Sequence, residues 1–241
     1  MKTADVCGFC KRLFILCPVL IFLLLAGCEN KFSEFSPEEM GYNFYPLEPL
    51  GYRDYSVQEI EYNVLGSPDT TNYFLREKVG DSYLNQTGEI TYRLERYIKI
   101  SDTSSWQFDA VWTVIKSNTN LVVVENNIPY VKMVFPVMDE KKWDGNAFNT
   151  LKEELYTYMN AFQPTIISDR EYDSTMKIVQ QDNPDPIVTT DVRNEIYAEN
   201  IGLIYKESII LHYCTDNECL GKMIIEQGMD YRQELIGYGK E

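Results

Sequence analysis

The chain has 241 residues and a formal net charge of −15 at pH 7, a length and an acidity that suit one exported domain. Nucleic acids are bound by clustered lysines and arginines, whereas the densest basic spot here, Lys141-Lys142, stands beside Asp139-Glu140. The composition therefore argues against a nucleic-acid-binding protein.

The N-terminus has the charge and hydropathy pattern of an export signal. Lys2, Lys11 and Arg12 precede an apolar run over residues 13–26. A transmembrane helix takes roughly 20 apolar residues, so this shorter run is typical of a signal peptide. Leu25-Ala26-Gly27-Cys28 closes it, and at every position it resembles the lipobox of bacterial lipoproteins.

The resemblance to lipoproteins implies a lipid anchor. In that family the cysteine is acylated and the chain is cut before it, so residues 1–27 would be removed and Cys28 would carry the fatty acids. Glu29 is not the aspartate that retains enterobacterial lipoproteins in the inner membrane, which favours the outer membrane. Ser33-Glu34 is a poor match to surface-export signals, which favours the periplasmic face. Residues 28–44 are polar and acidic and predict a flexible tether before a domain at 45–241.

Strand patterns dominate from Tyr45 onward. Alternation is clearest at 90–100, where Ile90, Leu94 and Ile98 share one face. Gly80 predicts a bulge within its strand. Predicted strands cover 52–66, 72–84, 90–100, 106–117, 121–125, 128–137, 171–182, a segment ending at 210, and 220–228.

Residues 149–162 are ambiguous. Apolar residues at 148, 151, 155, 159 and 162 have helical spacing, and Thr150 with Glu153 forms a capping-box pattern. A strand through Leu155 and Met159 is the competing interpretation. We favour the helix.

Many short strands and at most one or two helices predict a mainly β fold: a large curved antiparallel sheet, closed as a barrel or a half-barrel. Tyr45-Pro46-Leu47 near the start and Tyr197-Ala198 near the end resemble uncharacterised exported β-rich lipoproteins of Bacteroidota-type bacteria. That resemblance implies the same fold class and location.

The six cysteines do not form a framework. Cys7, Cys10 and Cys17 lie in the predicted leader, and Cys28 takes the lipid. Cys214 and Cys219 remain, and an oxidising compartment favours a disulfide between them that would close the tip of a hairpin.

Residues for catalysis or metal binding are scarce. His212 is the chain's single histidine, and we interpret it as a strand residue beside the disulfide rather than as a base or a zinc ligand with Cys214 and Cys219. The acidic loops 139–146 and 182–185 lack the spacing of an EF-hand and are explained by turn chemistry. We therefore expect no catalytic residues, no metal and no cofactor.

The sequence leaves several functions open. We favour a non-catalytic envelope lipoprotein with a binding or assembly role, whose partners are the membrane, through its lipid, and envelope proteins or glycans. A half-barrel carrier of a hydrophobic ligand and a carbohydrate- or peptide-binding surface lipoprotein that uses its 18 tyrosines are alternatives. A hydrolase with paired carboxylates is a third.

Overall fold

The computed structural model describes residues 36, 38–64, 66–185 and 187–241. The predicted signal peptide, Cys28 and most of the predicted tether lie outside these residues. No helix within the described ranges is long and apolar enough to cross a membrane.

The described part of the chain is almost entirely β structure, which confirms the predicted fold class. A short 3₁₀ turn, Tyr42–Phe44, precedes the strands. The strands are β1 (Gly51–Tyr62), β2 (Asp69–Leu84), β3 (Ile90–Lys99), β4 (Gln107–Lys116), β5 (Asn120–Glu125), β6 (Ile128–Val134), β7 (Lys142–Asp144), β8 (Leu155–Ile167), β9 (Arg170–Pro184), β10 (Thr189–Ala198), β11 (Gly202–Tyr213) and β12 (Ile225–Lys240).

All these strands belong to one antiparallel sheet built from two meanders. The first meander runs from β1 to β6 and the second from β7 to β12, and the first strand pairs with the last. The free edges, β6 and β7, approach each other. The Val131 N–H donates to the Gly145 carbonyl at 2.9 Å, and the Trp143 Nε1–H donates to the Val131 carbonyl at 2.7 Å. The sheet is therefore nearly closed into a barrel.

One local prediction is confirmed within the strands, and another is shifted. The register between β2 and β3 shifts between Val79 and Ser82, which places Gly80 in a bulge. Pro129 lies in β6, an edge strand, where a residue that cannot donate to the ladder is tolerated. The predicted strand at 220–228 begins later, at Ile225, because residues 214–224 form the loop that follows β11.

The predicted helix at 149–162 is wrong. Residues 149–154 form a bend and an irregular loop, and β8 begins at Leu155. The buried side chains of β8 are Tyr156, Tyr158 and the small Ala161, whereas Leu155 and Met159 are about half exposed. Most of the apolar stripe with helical spacing is therefore exposed, although its last member, Phe162, packs against the core. The two tyrosines between its members decide the structure.

The folded domain begins before Tyr45. The Met40 carbonyl accepts a hydrogen bond from the Val137 N–H at 3.1 Å, and the Phe44 side chain is fully buried. Gly41 has a φ of 78°, and a Cβ there would lie 2.5 Å from a methyl group of Val137. Residues 40–44, which the sequence places in the tether, thus pack against the sheet because their aromatic side chains fill its interior.

Phe44→Ala tests whether this segment belongs to the domain. Removing a buried phenyl ring creates a cavity, so we expect the free energy of unfolding to fall by about 3–5 kcal/mol. Urea denaturation followed by circular dichroism measures the loss. Phe148→Ala, at an exposed position, is the matched control and should change it by less than about 0.5 kcal/mol. Equal, small losses in both variants would contradict the packing of residues 40–44.

Candidate functional site

The predicted cysteine pair lies at the end of the last hairpin. Cys214 and Cys219 are joined by a disulfide, with a Cα–Cα distance of 5.8 Å. The Cys214 N–H donates to the Ile224 carbonyl at 2.8 Å, so the bridge lies just beyond the last pairs of β11 and β12. The disulfide therefore closes the loop that joins β11 to β12.

His212 is an exposed residue of β11 whose Nδ1 lies 3.4 Å from the Thr189 hydroxyl on β10. Among the described residues, one group has metal-ligand proximity: Cys214, Asp216 and Cys219. Its two sulfurs are bonded to each other and are not free thiolates, and His212 does not belong to it. His212 is thus placed as a strand residue near the disulfide.

The acidic loops use their carboxylates to hold turns. Asp144 Oδ1 accepts hydrogen bonds from the backbone N–H groups of Asn146 at 2.9 Å and Glu154 at 3.0 Å. Asp185 Oδ1 accepts one from Ile187 at 2.9 Å. These contacts support the turn interpretation of both segments.

The strongest candidate site is a cavity inside the barrel, which we call the inner cavity, with a volume of about 60 Å³. It is unusual because seven of its lining residues are arginines, lysines or glutamates. They are Arg53, Glu77, Arg96, Glu125, Lys132, Glu195 and Lys206. The remaining walls are tyrosines, Trp112, Gln233 and a few aliphatic side chains.

A buried ion cluster forms one wall of the inner cavity. Lys132 on β6 lies with its Nζ 2.9 Å from carboxylate oxygens of both Glu125 on β5 and Glu195 on β10. Lys206 on β11 lies 3.3 Å from Glu195, and the Tyr197 hydroxyl donates to Glu195 at 2.7 Å. The cluster therefore joins the first meander to the second across the interior.

The cluster holds Glu195, Lys132 and Glu125 in their charged forms. Burial alone would raise the pKa of Glu195, but the ammonium groups of Lys132 and Lys206 lower it to about 2. Burial would likewise lower the pKa of Lys132, yet Glu125 and Glu195 raise it well above its usual value. Glu125 behaves as Glu195 does: burial would raise its pKa, but the same two lysines lower it.

A second ion pair forms another wall. Arg96 on β3 donates to Glu77 on β2 at 2.8 Å, and its guanidinium carbon lies 3.8 Å from the ring centre of Trp112. Arg53 stands directly opposite Glu77 in the β1–β2 register. Because Glu77 pairs with Arg96, Arg53 has no carboxylate within 4.0 Å among the described residues.

Four buried polar atoms of the described residues lack a hydrogen-bond partner, and all belong to residues that line the inner cavity. They are Nε and Nη2 of Arg53, Nε1 of Trp112 and Nε2 of Gln233. All four are donors. Buried donors are normally paired with protein or with ordered water, so this cavity is a place where acceptors from outside the chain would be held.

A larger cavity of about 370 Å³, the outer cavity, lies beside the inner one. Glu125, Lys132 and Lys206 line both, so a single layer of charged side chains separates them. The outer cavity is also polar, with Arg193, Gln180 and two tyrosines, Tyr130 and Tyr156, among its walls.

Sequence reasoning did not find this site. Its seven charged members come from seven different strands, and none stands in a motif. The sequence does contain one signal. Arg96 lies on the same face as the apolar residues of the alternating segment 90–100, which indicates a charged side chain at an inward-facing position. Lys132, between Val131 and Met133, gives a similar but weaker signal.

Comparison with known proteins adds one fold similarity. No protein-family model matches the chain, and no curated protein matches it in sequence. A crystal structure of a Bacteroides fragilis protein, described as exported and as having a YmcC-like fold, superposes with a TM-score of 0.42 at 11% identity. The match covers 82% of this chain and 99% of that one. We draw no functional conclusion from a similarity at this level.

Acid titration tests the ion cluster. The folded-state pKa of Glu195, about 2, lies below its usual 4.5, so its stabilisation is present above pH 4.5 and is lost as the pH falls towards 2. The loss should be on the order of 3 kcal/mol across that window. Urea denaturation at pH 7, 4.5 and 3 measures it.

Glu195→Gln should reduce that acid-induced loss and should destabilise the protein at pH 7 by about 3–5 kcal/mol, because Lys132 and Lys206 lose a buried partner. Glu218→Gln removes an exposed carboxylate as the matched control. If both variants keep the wild-type pH profile, Glu195 does not carry the effect.

Proposed function

We propose that this chain is a non-catalytic lipoprotein of the cell envelope, anchored through Cys28, that binds a small polar ligand inside its barrel. The observation that carries the binding role is the inner cavity, where four buried donors have no acceptor. A fold that encloses unpaired donors gains free energy when a ligand supplies the acceptors. The anchor would hold this binding domain at the membrane, with the outer membrane and its periplasmic face as the proposed location.

The absence of catalysis is part of the proposal. A hydrolase with paired carboxylates needs one acid with a raised pKa to protonate its leaving group. Glu125 and Glu195 converge on Lys132, but the pKa of each is lowered. Their environment thus supports structural ions rather than an acid and a base, and His212 stands apart from the cavity.

The alternative of a hydrophobic-ligand carrier has less support. Such a carrier needs an empty concave face of aliphatic side chains, whereas the inner and outer cavities have charged walls. A larger cavity beside Leu47 and Ile90 is more apolar, but Glu48, Lys116 and Asn118 also line it. The alternative of a surface platform for sugars or peptides also has less support. Arg76, for example, lies 4.3 Å from the ring centre of Tyr52 and 4.8 Å from that of Trp106, so the protein's own cation covers these rings.

Cys28→Ser tests the anchor. Without the sulfur there is no acylation, so we expect the variant to leave the membrane pellet for the soluble fraction and to keep its leader uncut. Immunoblotting of fractionated cells reads both changes. Cys17→Ser, which alters a leader cysteine outside the lipobox, should stay in the membrane fraction. Wild-type behaviour of Cys28→Ser would overturn the lipoprotein assignment.

A thermal-shift screen of the full-length lipoprotein in detergent tests the binding role. We expect small polar compounds to raise the unfolding midpoint, since a ligand that binds only the folded state stabilises by about 2.7 kcal/mol at 100 times its Kd. Long-chain fatty acids are the contrasting set. Stabilisation by fatty acids alone would favour the carrier and contradict a polar ligand.

A further inference from the structure

Arg53 is the least satisfied charged group in the described structure. Its side chain is buried, with 5% of its surface exposed, and it lines the inner cavity from β1. Its Nη1 donates a long hydrogen bond of 3.4 Å to the Ile201 carbonyl. Its Nε and Nη2, which form the side-on edge of the guanidinium, have no acceptor.

The same edge binds carboxylates elsewhere in this chain. Arg76 holds Asp54 through Nε at 2.7 Å and Nη2 at 2.8 Å, and Arg232 holds Asp230 in the same way at 3.0 and 3.1 Å. Two parallel N–H groups match the two oxygens of a carboxylate. Arg53 presents this geometry within the barrel, where no described residue provides a carboxylate within 4.0 Å of it.

The charge of the inner cavity matches a single negative group. Its lining contains four cationic and three anionic side chains. Each of the three carboxylates lies within 2.9 Å of a lysine or arginine other than Arg53. Within the lining one positive charge is therefore left over, although Asp109 outside the cavity also lies 3.7 Å from Arg96. Arg53 is the one lining cation that forms no ion pair within 4.0 Å among the described residues.

The other orphaned groups favour the same kind of ligand. Trp112 Nε1 and Gln233 Nε2 are donors, so a ligand at this cavity must bring acceptors rather than donors. A volume of about 60 Å³ accommodates a small group. A carboxylate fits both conditions and carries one charge, whereas phosphate is bulkier and carries more than one near pH 7.

We propose that the inner cavity binds the carboxylate group of a small ligand, with Arg53 as its receptor through Nε and Nη2. This inference rests on the proposed binding role and names the chemical class of the ligand. Water can occupy the cavity of the free protein, but it leaves the guanidinium charge uncompensated. A carboxylate satisfies the donors and balances the charge together.

The test uses the full-length lipoprotein in detergent with acetate, propionate and succinate as probes, and with inorganic phosphate and sulfate at matched ionic strength. Isothermal titration calorimetry and ligand-observed NMR give the affinities. Arg53→Lys keeps the charge but removes the paired donors, so we expect carboxylate binding to weaken by about ten- to hundredfold. Arg53→Gln should abolish it. Arg232→Lys, at an exposed arginine already paired with Asp230, is the matched control and should bind as the wild type does.

Circular dichroism and the thermal midpoint without ligand show whether each variant is folded. If Arg53→Gln does not fold, Arg53→Lys alone provides the test. Equal affinity in Arg53→Lys and the wild type would overturn the role of Arg53. Binding of phosphate or sulfate without any carboxylate would overturn the ligand class. If another compound from the polar screen binds the wild type and Arg53→Lys equally while no carboxylate binds, the proposed binding role stands and this inference fails.

Discussion

The contact between Lys132 and Glu195 is the constraint on which the interior of this barrel depends. Lys132 lies on β6, the free edge of the first meander, and Glu195 lies on β10 in the second. Because β6 and β10 are not neighbours in the sheet, their ion pair crosses the interior of the barrel. Removing two charges from water costs several kcal/mol for each ion, so the cluster is stable only while Glu125, Lys206 and Tyr197 complete it. The register of four strands must therefore bring these groups together at once.

This requirement explains why charged groups interrupt an otherwise largely apolar interior. Aliphatic and aromatic side chains, among them Leu75, Met133 and Phe44, are fully buried and fill most of the barrel. The ion cluster and the Arg96–Glu77 pair interrupt this packing and leave the inner cavity between them. Close packing normally removes voids of this size, and charged groups that must keep their own geometry prevent it here.

Local patterns in the sequence predict the strands well and the barrel only in outline. Period-two alternation identifies β3 because it is half buried. The strands β7 and β10 were missed, since β7 has three residues and the polar run Asp191 to Glu195 hides β10. At 149–162 the sequence shows apolar residues with helical spacing, and Tyr156 and Tyr158 lie between them. Only the closure of the sheet, which depends on long-range pairing, shows that these tyrosines face the core. Closure also buries Lys132 and Glu195, which single-sequence reasoning places in solvent, so the site could not be predicted before the topology was known.

A buried guanidinium with two unpaired N–H groups would link the proposed ligand binding to folding in this protein. Arg53 contributes a desolvated charge without an ion pair, because its cross-strand neighbour Glu77 pairs with Arg96 and acts on Arg53 only at longer range. Any acceptor that enters the inner cavity binds only the folded barrel, since the four donors are brought together by β1, β4 and β12. Ligand affinity and the free energy of unfolding are thus coupled by mass action. The same unpaired charge that lowers the stability of the empty barrel provides the free energy with which it would hold a ligand.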